Sequence, residues 1–273
     1  MVRRATEGND QIIGSELRDT IDGLGGDDRI FGREDNDRLS GGPGSDSIRG
    51  YDGNDSIFAG NDQSDDLNRL FGDDGNDRIT GSLGRDSIFG GTGNDDLFGR
   101  ENDDFVNGQA GRDFLVGGKG NDFVNGGSGN DILQGNGQFD DGEGQIDVLS
   151  GNGDGVDNGE SDRDEFRLGT FNRVFYDDGI ANTRGDEDVA VITDFDDGKD
   201  VIRLSGRVDY RFENVDVRGA GEGVGIFVDN SGGTVDELIG IVENVEISQL
   251  SSSKKIPVCS RFNFKLNSIK EKY

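Results

Sequence analysis

Hydrophobic positions recur every nine residues over the first half of the chain. The stretch GGKGNDFVNGGSGNDILQ (117–134) contains the pattern G-G-x-G-x-D-x-U-x twice, where U is an aliphatic residue. The pattern continues in register over 5–58 and 63–134, and a four-residue insertion, 59–62, separates the two runs. The aliphatic places are Ile12, Ile21, Ile30, Leu39, Ile48, Ile57, Leu70, Ile79, Ile88, Leu97, Val106, Leu115, Val124 and Leu133.

A nine-residue period fits neither an α-helix nor a ladder of β-hairpins. It fits a chain that alternates three residues of strand with six residues of turn. Because side chains alternate across a strand, only the middle strand residue points inward, and it is the aliphatic one. Two repeats then form one coil, and each strand pairs with the strand two repeats away. We therefore predict an all-β fold, a parallel β-roll of seven coils that is about 30–35 Å long.

The polar places of the repeat predict tight, acidic turns. Glycine at the first and fourth places suits a backbone with positive φ, and Asp35, Asp66 and Asn102 suit the fourth place at modest cost. Leu17 at that place predicts a weak turn. The sixth place is acidic except at Asn68. Its aspartates are Asp10, Asp19, Asp28, Asp37, Asp46, Asp55, Asp77, Asp86, Asp95, Asp104, Asp113, Asp122 and Asp131.

Stacked acidic turns require positive charge beside them. Ca²⁺ takes six to eight oxygen ligands in adaptable geometry, whereas Mg²⁺ demands a strict octahedron. Isolated Gly-x-Asp turns commonly serve only local hydrogen bonds, but that interpretation does not explain their common register. We predict that these aspartates bind several Ca²⁺ ions together with backbone atoms of the turn glycines. Those glycines are Gly41, Gly44, Gly50, Gly53, Gly72, Gly75, Gly81, Gly84, Gly90, Gly93, Gly108, Gly111, Gly117, Gly120, Gly126 and Gly129.

Composition narrows the function classes. The net charge of −29 disfavours nucleic acid and anionic membranes as partners. The sequence contains no histidine, which argues against metalloprotease and Ser-His or Cys-His chemistry, although carboxylate-based glycan chemistry stays open. The one cysteine, Cys259, leaves no intrachain disulfide. We expect neither a membrane span nor a cleavable secretory signal.

The repeats GGKGNDFVN, GGSGNDILQ and GGTGNDDLF resemble the RTX (repeats-in-toxin, hemolysin-type calcium-binding) family. The resemblance implies a β-roll with calcium in its turns, and a chain that stays largely unfolded until it meets calcium outside the cell. It further implies type I secretion through an uncleaved C-terminal signal. We therefore expect an extracellular or cell-surface location.

The remaining sequence predicts three further regions after the roll of 5–134. Region 135–167 carries degenerate repeats, because GQIDVLS (144–150) and DRDEFRL (162–168) keep the aspartate and the inward residue in place. Region 168–250 alternates like short strands, and VITDFDDGKDVIRLSG (191–206) resembles the segment that closes the roll in secreted RTX proteins. The tail, 251–273, carries six basic residues and one acidic residue. A secretion signal, a contact with the acidic roll, a frayed end and an altered reading frame all stay open for it.

The sequence favours a calcium-binding secreted structural or adhesive module that is not an enzyme. The alternatives are a remnant of an RTX exoenzyme and a plain calcium buffer. The first repeat begins at Ala5, so we expect no catalytic domain before it. Eight phenylalanines flank the inward aliphatic residues, and they either support one another on the sheet surface or form a partner surface. The expected partners are calcium and a cell-surface glycan, a protein or a second copy, without nucleic acid or membrane insertion.

Overall fold

The protein is built from β-strands. The computed structural model describes residues 5–60, 66–136, 146–151, 162–170, 173–174, 189–196, 199–204, 209–217, 221–229 and 237–243. The basic tail and most of the region between 171 and 188 lie outside these residues. No helix in the described ranges is long and apolar enough to cross a membrane.

The strands of the roll are short and closely spaced along the chain. They are β1 (Gln11–Ile13), β2 (Thr20–Asp22), β3 (Arg29–Glu34), β4 (Arg38–Ser40), β5 (Ser47–Asp52), β6 (Ser56–Phe58), β7 (Leu67–Asp74), β8 (Arg78–Thr80), β9 (Arg85–Thr92), β10 (Asp96–Glu101), β11 (Phe105–Gly111), β12 (Phe114–Lys119), β13 (Phe123–Gly129) and β14 (Ile132–Asn136). The later strands are β15 (Ile146–Ser150), β16 (Glu165–Arg167), β17 (Gly169–Thr170), β18 (Arg173–Val174), β19 (Val189–Ile192), β20 (Val201–Arg203), β21 (Asp209–Val217), β22 (Gly221–Asp229) and β23 (Glu237–Glu243).

Successive strands alternate between two parallel sheets. Odd-numbered strands β1 to β15 form one sheet, which continues through β19, β23, β22 and β21. Even-numbered strands β2 to β16 form the other, which ends at β20. Each strand pairs with the strand two repeats away, so Ile12 lies beside Ile30 and Ile21 beside Leu39. The predicted β-roll and its register are confirmed.

The aliphatic residue of each repeat lies between the two sheets. Ile12 and Ile21 at the first coil are 3% and 2% exposed, and the other twelve are at most 1% exposed. A slip of one residue would turn every one of them to the solvent, which is why the hydrophobic pattern fixes the register. The core is therefore a single aliphatic seam that is two side chains wide in each coil.

Ala59 lies in a turn of the roll rather than outside the repeat pattern. Ala59, assigned to the insertion 59–62, occupies the first place of the next turn. Its N–H donates to the carbonyl of Thr80 at 3.0 Å and its carbonyl accepts from Gly42 at 2.9 Å, as a first-place glycine does elsewhere. Ala59 is fully buried, and alanine is small enough for this place. Ala59 therefore does not belong to the insertion.

Several strands are longer than the three residues that the period suggested. Pairing in β9, for example, extends over Arg85–Thr92 because residues at the start of the next turn still pair with their equivalents one coil away. The N–H of Gly81 likewise donates to the carbonyl of Phe98 at 2.8 Å. Neighbouring turns are thus held together by their backbones as well as by the strands.

Positive φ occurs at the second and fourth places of most turns. Asp35 and Asn102, at the fourth place, have φ of 72° and 68°, as predicted. Leu17, at the same place, is not among the positive-φ residues. Leu17 therefore does not mark a strained version of the same turn. It belongs to a turn of a different kind, whose hydrogen bonds are described below.

Aromatic rings line the outer face of the larger sheet. Phe71 stacks on Phe89 with ring centroids 5.1 Å apart, and Phe105 stacks on Phe123 at 5.4 Å. Phe89 and Phe105 join these two pairs at 5.6 Å with tilted planes. Aromatic pairs in neighbouring strands stabilise a sheet surface, so the rings support one another as the sequence allowed.

The C-terminal strands continue the same hydrophobic core. Leu149 and Ile192 extend the column of Val124 in one sheet, while Phe166 and Ile202 extend the other. Buried residues of β22 and β23 belong to the same cluster as the repeats. Because β21 and β22 pair antiparallel, the strand pattern of the repeats ends there. These strands cover the last coil of the roll.

The turn geometry predicts a position-dependent cost of adding a methyl group. Gly111 has φ of 144°, and a Cβ there would overlap the carbonyl group of Gly93. We expect Gly111→Ala to lower the free energy of unfolding by about 1–3 kcal/mol. Gly8→Ala is the matched control, since its Cβ would meet only the Thr6 hydroxyl at 3.9 Å. It should change stability by less than about 0.5 kcal/mol. Denaturant unfolding at saturating calcium measures both, and equal costs would contradict the close approach of the turns.

Candidate metal sites

The turns stack along two edges of the roll. The first edge consists of the turns that lead into the larger sheet, and they end at Asp10, Asp28, Asp46, Asn68, Asp86, Asp104 and Asp122. The second edge consists of the turns that lead into the smaller sheet, and they end at Asp19, Asp37, Asp55, Asp77, Asp95, Asp113 and Asp131. Because the strands are in register, the sixth-place residues form two columns.

One oxygen of each carboxylate links its turn to the preceding coil. Oδ1 of Asp77 accepts the N–H of Asp55 at 2.7 Å, and Oδ1 of Asp113 accepts the N–H of Asp95 at 2.8 Å. Asn68 keeps this link, since its Oδ1 accepts the N–H of Asp46 at 2.8 Å. The same bond recurs along both edges and forms a carboxylate ladder between coils.

The second carboxylate oxygen is buried without a hydrogen-bond donor in many turns. Among the described residues no donor reaches Oδ2 of Asp28, Asp37, Asp55, Asp77, Asp95, Asp104, Asp113 or Asp131. These side chains are only 1–3% exposed, so water does not solvate them as it would at the surface. A buried anionic oxygen without a partner costs several kcal/mol, so each such turn calls for a positive charge.

Backbone carbonyls border the same spaces. A Cβ added to Gly72 would overlap both Oδ2 of Asp77 and the carbonyl oxygen of Gly90, one coil later. The predicted first-place glycines Gly41, Gly50, Gly81, Gly90, Gly108, Gly117 and Gly126 also adjoin Oδ2 of the aspartate in their own turn. The predicted fourth-place glycines Gly44, Gly53, Gly75, Gly93, Gly111, Gly120 and Gly129 have positive φ and adjoin the carbonyl group at the same place one coil earlier. Glycine thus leaves spaces that are bordered by oxygen atoms.

Acidic side chains alone do not form a metal cluster here. Within the described ranges no three acidic or thiol side chains converge on one point. The carboxylates are instead spread along the edges, one for each turn. A cation beside Oδ2 would therefore take most of its ligands from backbone carbonyls. That donor set, all oxygen and of adaptable geometry, suits Ca²⁺ better than Mg²⁺ or zinc.

Burial makes these carboxyl groups weak acids in the absence of a cation. Burial, together with the neighbouring charges of Asp122 and Asp86, raises the pKa of Asp104 to about 10. Burial also raises the pKa of Asp131 to about 8 and the pKa of Asp113 to about 7, although a backbone N–H opposes it in each case. The folded roll therefore disfavours ionised carboxylates unless a positive charge accompanies them.

Three of the predicted carboxylates lie in turns of another kind. Oδ2 of Asp10, Asp19 and Asp86 accepts hydrogen bonds from the backbone N–H and the hydroxyl group of a Thr or Ser four residues earlier. For Asp19, burial raises the pKa, but the hydrogen bonds from Ser15 contribute to a net lowering. Gly84 in one of these turns lacks positive φ and donates its N–H to the Ser82 hydroxyl at 2.9 Å.

The carboxylate ladder extends further than the assigned site residues. Oδ1 of Asp147 accepts the N–H of Asp122, and Oδ1 of Asp164 accepts the N–H of Asp131, both at 2.9 Å. The sequence had marked both aspartates as remnants of repeats. Asp200 was missed, yet its Oδ1 accepts the N–H of Asp164 at 3.0 Å. The sequence feature that could have revealed Asp200 is the stretch GKDVI (198–202), which keeps the fourth, sixth and eighth places of the repeat.

Comparison with known proteins agrees with this geometry. The model of the RTX calcium-binding nonapeptide repeat, which describes four copies, matches residues 4–39, 31–64, 71–106, 98–133 and 107–141. The break between 64 and 71 follows the predicted insertion, 59–62, and includes the first residues of β7. A search of curated proteins found no match to the chain. With its repeats, its β-roll and its oxygen-bordered turns, the chain belongs over residues 4–141 to the RTX calcium-binding nonapeptide repeat family.

Proposed function

We propose that this protein is a secreted, non-catalytic structural or adhesive module whose repeats fold into the β-roll when they meet calcium outside the cell. The observation that carries the proposal is the repeated burial of a carboxylate oxygen without a donor, as at Asp113, in turns of a calcium-binding family. Calcium at each such turn removes the cost of burying the charge. Ion binding and folding are then one process.

The charge of the chain supports a large difference in compactness between the calcium-free and the calcium-bound protein. The net charge of −29 opposes a compact chain in the absence of cations. The aliphatic seam contributes only two side chains to each coil, so it does not offset this repulsion easily. Extracellular calcium sites commonly bind in the range of about 10⁻⁴ to 10⁻³ M. Coupling between neighbouring coils makes the transition sharp near such concentrations.

The adhesive part of the proposal is supported by apolar side chains beside a groove on the first edge. Leu67, Phe123 and Ile146 are 56%, 38% and 48% exposed, and all three line a groove of about 460 Å³. Exposed apolar groups around one groove suit contact with a partner. Retention of the protein on immobilised cell-surface glycans or proteins, with and without calcium, tests this contact. Leu67→Ser should reduce retention, and unchanged retention would argue for a purely structural role.

Calcium titration is the direct test of folding. We expect the far-ultraviolet circular dichroism of the metal-free chain to be that of a largely unfolded protein. Calcium should produce a cooperative β signal, and magnesium at the same concentrations should produce little, because the turns offer adaptable carbonyl geometry. A full β signal already present in chelator would contradict calcium-driven folding.

Position along the stack should determine the effect of losing a carboxylate. Asp113→Asn keeps the acceptor for the Asp95 N–H but removes the buried charge. We expect a calcium midpoint several-fold higher and a loss of about 1–3 kcal/mol at saturating calcium. Asp10→Asn is the control, because Oδ2 of Asp10 already accepts hydrogen bonds from Thr6. Equal shifts of the calcium midpoint in the two variants would contradict the proposal that calcium binds beside the buried carboxylate oxygens of the stacked turns.

Protons should compete with calcium. The pKa values of Asp113 and Asp131 are raised in the fold to about 7 and about 8, above the ordinary value of 3.8. A raised acid pKa means that ionisation destabilises the fold as pH rises from about 4 through these values. In metal-free buffer, acidification from about pH 8 to about pH 5 should therefore increase the β signal. The calcium midpoint should rise over the same range, and a β signal that falls on acidification in metal-free buffer would contradict this coupling.

A further inference from the structure

The thirteen fully described turns of the repeat region fall into two kinds. In ten of them the second and fourth places both have positive φ. In the remaining three the second place is Thr6, Ser15 or Ser82, and neither the second nor the fourth place has positive φ. A hydroxyl group at the second place therefore accompanies a different backbone path. Two of these turns, 5–10 and 14–19, begin the two edges of the roll, whereas 81–86 lies in the middle of the first edge.

Ser82 supplies donors to the aspartate of its own turn. Its N–H and its hydroxyl group lie 2.6 Å and 3.2 Å from Oδ2 of Asp86. The hydroxyl oxygen in turn accepts the N–H of Gly84 at 2.9 Å. Ser82 is fully buried and Asp86 is 3% exposed. The carboxylate oxygen that no described donor reaches in eight of the other turns is thus hydrogen-bonded inside this one.

Asn68, from the preceding coil, closes the other side of the same site. Its Nδ2 donates to Oδ1 of Asp86 at 2.9 Å and to the hydroxyl oxygen of Ser82 at 3.2 Å. An aspartate at position 68 has no donor to offer and would place a second negative charge beside Asp86. The only departure from aspartate at the sixth place therefore occurs where an amide donor is needed.

The following coil engages the backbone carbonyls of the same turn. Nδ2 of Asn102 donates to the carbonyl of Leu83 at 2.6 Å, and Nη1 of Arg100 approaches the carbonyl of Gly81 at 3.4 Å. Carbonyls of this kind are the ligands that a cation between the turns would use. Here a side-chain amide and a guanidinium group occupy them. Arg100 also brings a fixed positive charge to this part of the edge.

We propose that Asn68, Ser82, Asp86, Arg100 and Asn102 form a cation-free clamp that interrupts the column of calcium sites on the first edge. The second edge continues without such a break, because all six turns from 32–37 to 126–131 have positive φ at both places. Their aspartates Asp37, Asp55, Asp77, Asp95, Asp113 and Asp131 each bury an Oδ2 that no described donor reaches. The two edges therefore bind different numbers of calcium ions. The clamp rests on the proposed calcium-driven function and specifies which turns carry it out.

Reciprocal substitutions in the full chain test the clamp by counting ions. Asn68→Asp combined with Ser82→Gly restores the repeat pattern, and we expect bound calcium at saturation to rise by about one ion for each chain. Gln109→Ser places a hydroxyl four residues before Asp113 on the second edge, and we expect a loss of about one ion. Gln109→Ala is the matched control, since it shortens the same side chain without adding a hydroxyl, and it should leave the count unchanged.

Equilibrium dialysis with measurement of total calcium gives the counts, and circular dichroism at saturating calcium confirms that each variant is folded. Unchanged counts in folded Asn68→Asp/Ser82→Gly and Gln109→Ser variants would overturn the clamp and leave calcium-driven folding intact. If the double variant does not fold, the comparison of Gln109→Ser with Gln109→Ala decides, because equal counts there would also overturn it. A wild-type chain that binds no calcium would instead overturn the proposed function.

Discussion

Compensation of the buried carboxylates is the constraint on which this fold depends. In a turn with positive φ at its second and fourth places, such as 108–113, one oxygen of Asp113 accepts a backbone N–H from the preceding coil. The other oxygen lies buried, and no described donor reaches it. In two other turns the hydroxyl groups of Ser15 and Ser82 donate hydrogen bonds to that second oxygen. Most turns instead expose carbonyl oxygens to the same space. In the proposed calcium-driven folding, the folded state is conditional on an ion that the solvent must supply.

The other places of the repeat follow from this constraint. The first place is glycine in most turns because a Cβ there would fill the space between carboxylate and carbonyl, as at Gly72. The eighth place is aliphatic because it alone reaches the seam, and the seam sets the register of the strands. Register in turn brings each carboxylate next to the backbone N–H of its neighbour. The core thus aligns the turns, and in the proposed calcium-driven folding the ions determine whether the aligned state is stable.

The nine-residue period was sufficient to predict the sheets, their register and the buried residues, because a shift of one residue would expose the whole aliphatic column. It assigned Ala59 to the insertion, because only the hydrogen bonds of Ala59 to the neighbouring coils show that this residue takes the first place of a turn. It also did not separate the two kinds of turn. That distinction depends on hydrogen bonds from Thr6, Ser15 and Ser82. The sequence feature that could have revealed it is a hydroxyl residue four positions before the aspartate. Asp200 escaped notice because only part of the repeat survives around it.

The carboxylate ladder has a direction. Each link runs from an N–H in one coil to an oxygen in the coil that follows along the chain, from Asp10 and Asp28 at the start to Asp164 and Asp200 at the end. The N–H groups of each coil are therefore bonded only when the coil that follows is in place. The segment around Asp200, whose own N–H is bonded to the carbonyl of Asp196, ends the series without needing a further coil.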